Sequence, residues 1–237
     1  MKHLGIITPL TTEARWFTKP SILKKPVSLT ENISLIVSGE GKVNAREAAL
    51  ALLNNGADGL LVIGMAGALS PELSSGDLVI PDNIMTDSNR VFHCHLEWSE
   101  QLREKYKLKK NKITNSPLFT SDEVITNSID KIGLYNQFNV CAVDMESSAV
   151  VALANEQKVP STVMRVIIDP ANYSFPDYLL TLTNEFGDVP VLRLIMTALT
   201  HPQQLNKLIQ LLNFYHHASE TLKILSKRPE NLIASHH

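Results

Sequence analysis

The sequence predicts an α/β protein with three layers, in which helices cover both faces of a central mixed, mostly parallel, twisted sheet. Short runs rich in β-branched residues recur along the chain, several of them are apolar on both faces, and helical patterns lie between them. Strands that are buried on two faces and alternate with helices are typical of this class. A chain of 237 residues with 44% hydrophobic content is long enough to bury a continuous core.

Six segments are predicted to be strands because each is short, apolar and rich in Val, Ile or Leu. In chain order they are residues 3–8, 33–38, 60–64, 77–81, 140–145 and 162–168.

Helical spacing of apolar residues is clearest over residues 42–55, which Gly56 follows as a C-terminal stop. Residues 97–106 and 146–157 are further predicted helices. After Pro176 the strand patterns end, and helices are predicted over 177–185, 189–199 and 203–225. The last of these has an apolar stripe at helical spacing, which predicts packing on the core. The alternative is a lipid-facing helix. The stripe consists of Leu205, Leu208, Leu212, Tyr215, Leu222 and Leu225.

Domain organisation and composition restrict the class of ligand. No repeat or Gly/Ser linker divides the chain, so one domain is expected over 1–237, with 177–237 an appended helical region. A net charge of -2 gives no electrostatic reason to expect nucleic acid. Cys94 and Cys141 lack CxxC spacing, which argues against a disulfide framework and a cysteine zinc site. No signal peptide or bilayer-spanning stretch is evident, so a cytoplasmic protein is expected.

Three acidic residues follow predicted strands, at the edge where open α/β sheets build ligand sites. Glu13 comes after the first strand, Glu146 ends the strand before a helix, and Asp169 follows the most hydrophobic strand. Each also has a purely structural explanation. Glu13 and Glu146 are typical first-turn helix acids, and Asp169 before Pro170 is a common turn residue.

Together the three acids meet the requirements of purine N-glycosidic bond cleavage. That reaction passes through an oxocarbenium-like sugar, so it needs an acid for the departing base and carboxylate charge near the ribose. Apolar neighbours would raise the pKa of Asp169 and let it donate a proton near neutral pH. Glu146 could hold the ribose hydroxyls, and Glu13 could activate water.

A series of motifs then points to a family. In chain order these are GII followed by five residues and Glu13, then SGEGKVNA, VIGMAGALSPELSSGDLVIPD, AVDMESSAV and VMRVIIDPA. The series resembles methylthioadenosine/S-adenosylhomocysteine nucleosidases and purine nucleoside phosphorylases over residues 1–176. The resemblance implies that Glu13 activates water, that Met145 and Glu146 bind ribose, and that Asp169 protonates purine N7.

Four further residues are expected to line the pocket. Ala66 and Gly67 resemble the small residues that lie beside the sugar and base in this family. Met65 stands where these enzymes usually have a serine that helps phosphorylases bind phosphate, and Ile168 replaces the serine that usually precedes the catalytic aspartate. Both departures make the pocket more apolar, and the first argues against phosphorolysis.

A narrower resemblance lies in the tail. The segment GDVPVLRLIMTALTHPQQLNKLIQLL, together with DMES, RVIIDPA and the EAR at Glu13, is similar to hopanoid-associated phosphorylases, which remove adenine from adenosylhopane. This resemblance implies a lipid-linked nucleoside as substrate and peripheral contact with the inner membrane face.

Two other motifs favour structural readings. Gly39-Glu40-Gly41-Lys42 lacks both the Walker and the GxGxxG spacing, so a tight turn into the helix is expected. His93-Cys94-His95 would need further ligands to hold a metal.

The sequence therefore predicts an enzyme that binds a small purine nucleoside and uses no metal or organic cofactor. Inorganic phosphate is the co-substrate if cleavage is phosphorolytic. A homo-oligomer, dimer or larger, is expected. The rivals are a nucleotide-dependent dehydrogenase, which the missing fingerprint opposes, and a non-catalytic nucleoside-binding module, which would not require a proton donor at Asp169.

Overall fold

The computed structural model describes residues 1–19, 25–106, 108, 110–175 and 205–234. The predicted helices over 177–185 and 189–199 lie outside the described residues, as do the first two residues of the helix predicted over 203–225.

Eleven strands among the described residues form one mixed sheet. They are β1 (Leu4–Thr8), β2 (Val27–Thr30), β3 (Ile33–Val37), β4 (Gly59–Ala68), β5 (Leu78–Val79), β6 (Asn83–Thr86), β7 (Val91–His93), β8 (Ile113–Thr114), β9 (Leu118–Thr120), β10 (Ala142–Asp144) and β11 (Ser161–Ile167).

Helices of the described residues occupy the connections between these strands and the end of the chain. They are α1 (Thr11–Ala14), α2 (Lys42–Asn54), α3 (Leu96–Lys105), α4 (Ser128–Phe138), α5 (Ser147–Gln157) and α6 (Leu205–Ser226), followed by a 3₁₀ turn over Pro229–Leu232.

The long strand β4 organises the sheet. Its first part pairs in parallel with β1 on one side and with β11 on the other, and β1 pairs in parallel with β3. Its last residues, Gly67 and Ala68, pair with the antiparallel strand β10. The sequence predicted the end of β4 at Gly64, but pairing with β11 continues the strand to Ala66 and pairing with β10 continues it to Ala68.

Helices pack on both faces of the sheet, which confirms the predicted three-layer class. On one face α2 and α5 contribute Ala45, Leu52 and Val151 to a core that includes residues of β1 and β4. On the other face Trp98 of α3 and Leu222 of α6 pack with a second set of strand residues. Every residue of β1, β3 and β11 is buried, as expected for strands covered on two sides.

The apolar stripe of α6 is only partly buried. Leu208, Leu222 and Leu225 are buried, which confirms that the helix packs on the core, whereas Leu212 is 52% exposed. No helix among the described residues is long and apolar enough to cross a membrane.

Several elements were not predicted from the sequence. The short strands β2 and β6 to β9 lack a continuous apolar run, and α1 is a single turn. The helix α4 was also not predicted. Lys131 is its one fully buried residue, and its apolar side chains Leu134, Tyr135 and Phe138 are only partly buried against the core.

Candidate active site

The carboxyl ends of β1, β4 and β11 meet at one edge of the sheet, where the described residues line a cavity of about 590 Å³. This is the edge at which parallel sheets place their ligands. All the site residues predicted from the sequence lie in its lining: Glu13, Met65, Ala66, Gly67, Met145, Glu146 and Asp169.

Glu13 lies in α1, directly after β1, and its carboxylate is buried. It accepts hydrogen bonds from the backbone N–H of Met65 at 2.7 Å and of Leu10 at 3.1 Å. Burial raises the pKa of Glu13 to about 7. Gly64 is required beside it, because a Cβ there would lie 2.8 Å from both Glu13 carboxylate oxygens.

Glu146 lies at the N-terminus of α5 and is held from two sides. Its Oε1 accepts the Gly41 N–H at 2.9 Å, and its Oε2 lies 2.9 Å from Nη2 of Arg165. Burial raises the pKa of Glu146, although Arg165 opposes the shift. Gly41 has a φ of +91°, so the Gly39 to Lys42 segment is the expected turn into α2, and it also orients Glu146.

Asp144 also lines the cavity and pairs with Arg165. Neither residue was assigned a role from the sequence. Arg165 of β11 is fully buried, and its Nε donates to Asp144 Oδ2 at 2.8 Å. Asp144 also accepts from the Thr120 hydroxyl at 2.8 Å. Both residues belong to motifs noted in the sequence, VDMES and RVIID. The motifs alone do not show that Arg165 and Asp144 contact each other, so no role could be assigned to them from the sequence.

Asp169 follows β11 and is 1% exposed. The ammonium group of Lys131 in α4 contacts its carboxylate. Burial raises the pKa of Asp169 to about 6, against the opposing effect of Lys131. Gly67 faces this carboxyl: a Cβ there would lie 3.4 Å from Asp169 Oδ1, in ordinary van der Waals contact.

The rest of the cavity lining is mainly apolar. The helix α6 contributes Leu208, Leu211, Leu212 and Tyr215. Other apolar lining residues are Val124, Ile125, Ile168 and Phe175. The cavity therefore combines a carboxylate-rich part with an apolar wall.

The metal reading of His93-Cys94-His95 gains no support from the contacts. His93 Nδ1 pairs with Asn83 Oδ1 at 2.6 Å, and His95 Nδ1 accepts the Trp98 N–H at 3.3 Å. Within the described ranges, no group of three or more His, Cys, Asp or Glu side chains is placed to hold a metal ion.

Comparison with known families identifies the family of the chain. The family model of the Phosphorylase superfamily matches residues 27–181, which is more than half of the chain. The chain belongs to the Phosphorylase superfamily. This membership confirms the predicted family and enzyme class.

Two curated relatives and one solved structure are similar to this chain. Aminodeoxyfutalosine nucleosidase of Campylobacter jejuni is 27% identical over 189 residues, covering 70% of this chain and 81% of that protein. The 5′-methylthioadenosine/S-adenosylhomocysteine nucleosidase of Baumannia cicadellinicola is 27% identical over 182 residues, covering 66% of this chain and 78% of that protein. The crystal structure of the corresponding Helicobacter pylori nucleosidase, with butyl-thio-DADMe-Immucillin-A, has a TM-score of 0.63 at 19% identity, covering 73% of this chain and 87% of that chain.

The geometry gives this superfamily member the parts of an acid-assisted bond cleavage. A buried acid with a pKa of about 6 lies on one side of the cavity, and two buried carboxyl groups line another part of it. These three acids were predicted from the sequence, but the cations that bind two of them were not. Those cations are Lys131 beside Asp169 and Arg165 beside Glu146.

Proposed function

We propose that this chain hydrolyses the N-glycosidic bond of an adenine nucleoside that carries an apolar 5′ substituent, with adenosylhopane as the specific candidate. The observation that carries the proposal is the composition of the cavity: Asp169, Glu13 and Glu146 share it with an apolar wall from α6. A volume of about 590 Å³ falls within the range of small-molecule sites. The reaction needs no metal or organic cofactor.

Each carboxyl group has a separate task in this reaction. Asp169, protonated, donates its proton to purine N7 as the C1′–N9 bond breaks and the bond electrons pass to the base. The anionic carboxylate of Glu146 binds the ribose hydroxyls and stabilises the positive charge that develops on the sugar. Glu13, ionised, takes a proton from the water that attacks C1′.

The charges around the cavity favour water over phosphate as the nucleophile. Arg165 is already paired with Asp144 and Glu146, so its charge is neutralised. Arg15 is the one cationic side chain that the described part of the chain contributes to the cavity lining, and it stacks 4.8 Å from the Trp16 ring centroid. Met65 supplies no hydroxyl at the position where the family usually has serine.

The apolar wall favours a substituent at the 5′ position. Each methylene that a ligand buries there contributes about 0.8 kcal/mol to binding. Relatives named for 5′-methylthioadenosine and S-adenosylhomocysteine support a nucleoside that is modified at this end.

The test compares kcat/KM for adenosine, 5′-methylthioadenosine and an adenosine bearing a long 5′-alkyl chain, from release of adenine. We expect kcat/KM to rise with the length of the apolar group. The best rate on adenosine or methylthioadenosine would contradict the apolar specificity and indicate a general salvage nucleosidase.

Two matched variants of α6 locate the specificity. Leu212 lines the cavity and Ile209 does not, although they are similarly exposed at 52% and 49%. Leu212→Gln should lower kcat/KM for the long-chain substrate several-fold and leave adenosine unaffected. Ile209→Gln should change neither, and equal effects of the two variants would exclude α6 as the wall that binds the substituent.

A further inference from the structure

Lys131 is a buried cation that the proposed reaction does not yet use. It lies in the middle of α4, a helix whose other residues are partly or fully exposed, and its own side chain is fully buried. Burying a single ammonium group in a protein is costly unless a partner compensates it. The partner here is the carboxylate of Asp169.

The surroundings of Lys131 fix the position of its ammonium group. Besides Asp169, the Nζ atom donates to the carbonyl oxygen of Tyr173 at 2.9 Å and to that of Pro170 at 3.4 Å. It also lies 5.5 Å from the centroid of the Phe175 ring. Two backbone carbonyls, one carboxylate and an aromatic face therefore hold the cation on the side of Asp169 away from bulk water.

We propose that Lys131 is the positioning residue that makes Asp169 an effective proton donor, by stabilising the carboxylate that remains when the proton has moved to purine N7. In the reactive fraction of the protein, which grows as the pH falls toward the Asp169 pKa of about 6, the Asp169 carboxyl is neutral before the step. As the N7–H bond forms and the C1′–N9 bond breaks, negative charge develops on Asp169, next to the ammonium of Lys131. An interaction that strengthens during the step accelerates it.

The other charged groups at this site do not take this role. Glu13, Asp144 and Glu146 line the same cavity, and Arg165 is paired with the latter two. The other charged residues of the cavity lining are Arg15, Glu40 and Glu123, and none of them is among the influences on the pKa of Asp169. Asp130, the neighbour of Lys131 in α4, hydrogen-bonds Asn127. Burial and Lys131 are the main influences on the pKa of Asp169, and they act in opposite directions.

The inference rests on the proposed function, and the test separates the two. The variants are Lys131→Met, Asp169→Asn and the double variant, compared by kcat/KM for adenine release. If Lys131 acts through Asp169, Lys131→Met lowers kcat/KM at pH 5 about tenfold in the wild-type background and not at all in Asp169→Asn. Full additivity would overturn the inference and leave the proposed function intact, whereas wild-type protein that releases no adenine would overturn the function itself.

The pH profile distinguishes this role from a structural one. Loss of the ammonium raises the pKa of Asp169, so the pH of maximal kcat/KM moves upward, by about half a pH unit for each unit of that rise. Lys131→Arg keeps the cation and should keep the maximum in place. Lys223→Met is the control: it removes a half-exposed lysine that pairs with Glu220 of the same helix and should leave the maximum unchanged.

Two results would assign Lys131 to structure alone. One is a folded Lys131→Met protein whose pH maximum equals that of the wild type. The other is failure of both neutral variants, Lys131→Met and Lys131→Gln, to fold at neutral pH, as judged by thermal unfolding.

Discussion

Arg165 binds Glu146 through Nη2 at 2.9 Å, and both side chains are buried beneath the cavity. The same guanidinium also binds Asp144 at 2.7 Å, so two carboxylates share one cation and the ionised group keeps a net negative charge. These ion pairs connect β11 to the end of β10 and to the N-terminus of α5. It therefore holds the ribose-binding carboxylate of the proposed site in a fixed position.

Removal of Arg165 should destabilise the protein strongly. Arg165→Met leaves Asp144 and Glu146 buried without their cation, which is expected to cost about 3–5 kcal/mol in the free energy of unfolding. Chemical denaturation measures this loss. Arg46→Met is the control, because the pair of Arg46 with Glu156 is exposed, and its removal should leave the midpoint almost unchanged. Equal effects of the two substitutions would show that the buried pair does not organise the site.

Glu146→Gln should impair both binding and turnover of the nucleoside. The charged hydrogen bond to the ribose hydroxyls strengthens as positive charge develops on the sugar, so its loss lowers kcat as well as raising KM. A 2′-deoxy substrate should then show little additional loss in the variant. Full additivity of the two changes, in a kcat/KM cycle, would argue against a contact between Glu146 and the sugar hydroxyls.

The pH dependence follows from the two acids that donate or accept a proton in the reaction, Glu13 and Asp169. Burial raises the pKa of Glu13 to about 7 and that of Asp169 to about 6, and the reaction needs Glu13 ionised and Asp169 protonated. Below pH 6 kcat/KM falls because ionised Glu13 becomes scarcer, and above pH 7 it falls because protonated Asp169 becomes scarcer. The profile should therefore peak between about pH 6 and 7. A flat profile from pH 5 to 9 would contradict this assignment.

The central strands of the sheet were predictable because each is a continuous apolar run that a short window of sequence shows. Strands β1, β3 and β11 are buried on both faces, so each reads as an apolar run wherever its partners lie. The three-residue strand β9 exists because it pairs with β6 and β10, which lie far from it in sequence, and no short window of sequence contains that information.

The acidic residues of the candidate site were predictable from the sequence, but the buried lysine was not. Glu13 and Asp169 follow strands that end at one edge, so their proximity follows from the parallel order of the sheet. Lys131 could not be found this way. It lies 38 residues from Asp169 on a helix with no other fully buried residue, and a lone lysine usually indicates a solvated surface.

Asp169→Asn should keep the fold and lower turnover on an adenine nucleoside by about 100-fold or more, the usual scale for the loss of a general acid. Because it also removes the charged partner of the buried Lys131, a lower unfolding temperature than that of the wild type is expected. Steady-state adenine release measures turnover, and thermal unfolding checks the fold. A folded variant with near wild-type turnover would show that Asp169 is not the proton donor.

The central claim is hydrolysis of an adenine nucleoside with an apolar 5′ group, and analysis of the products in ¹⁸O-labelled water tests it most directly. The wild-type protein, given a 5′-alkyl adenosine in phosphate-free buffer, should release free adenine and a sugar that carries one ¹⁸O at C1. Added phosphate should change neither the rate nor the products. A strict requirement for phosphate, with a sugar 1-phosphate as product, would contradict hydrolysis, and the absence of any adenine would contradict the proposed reaction altogether.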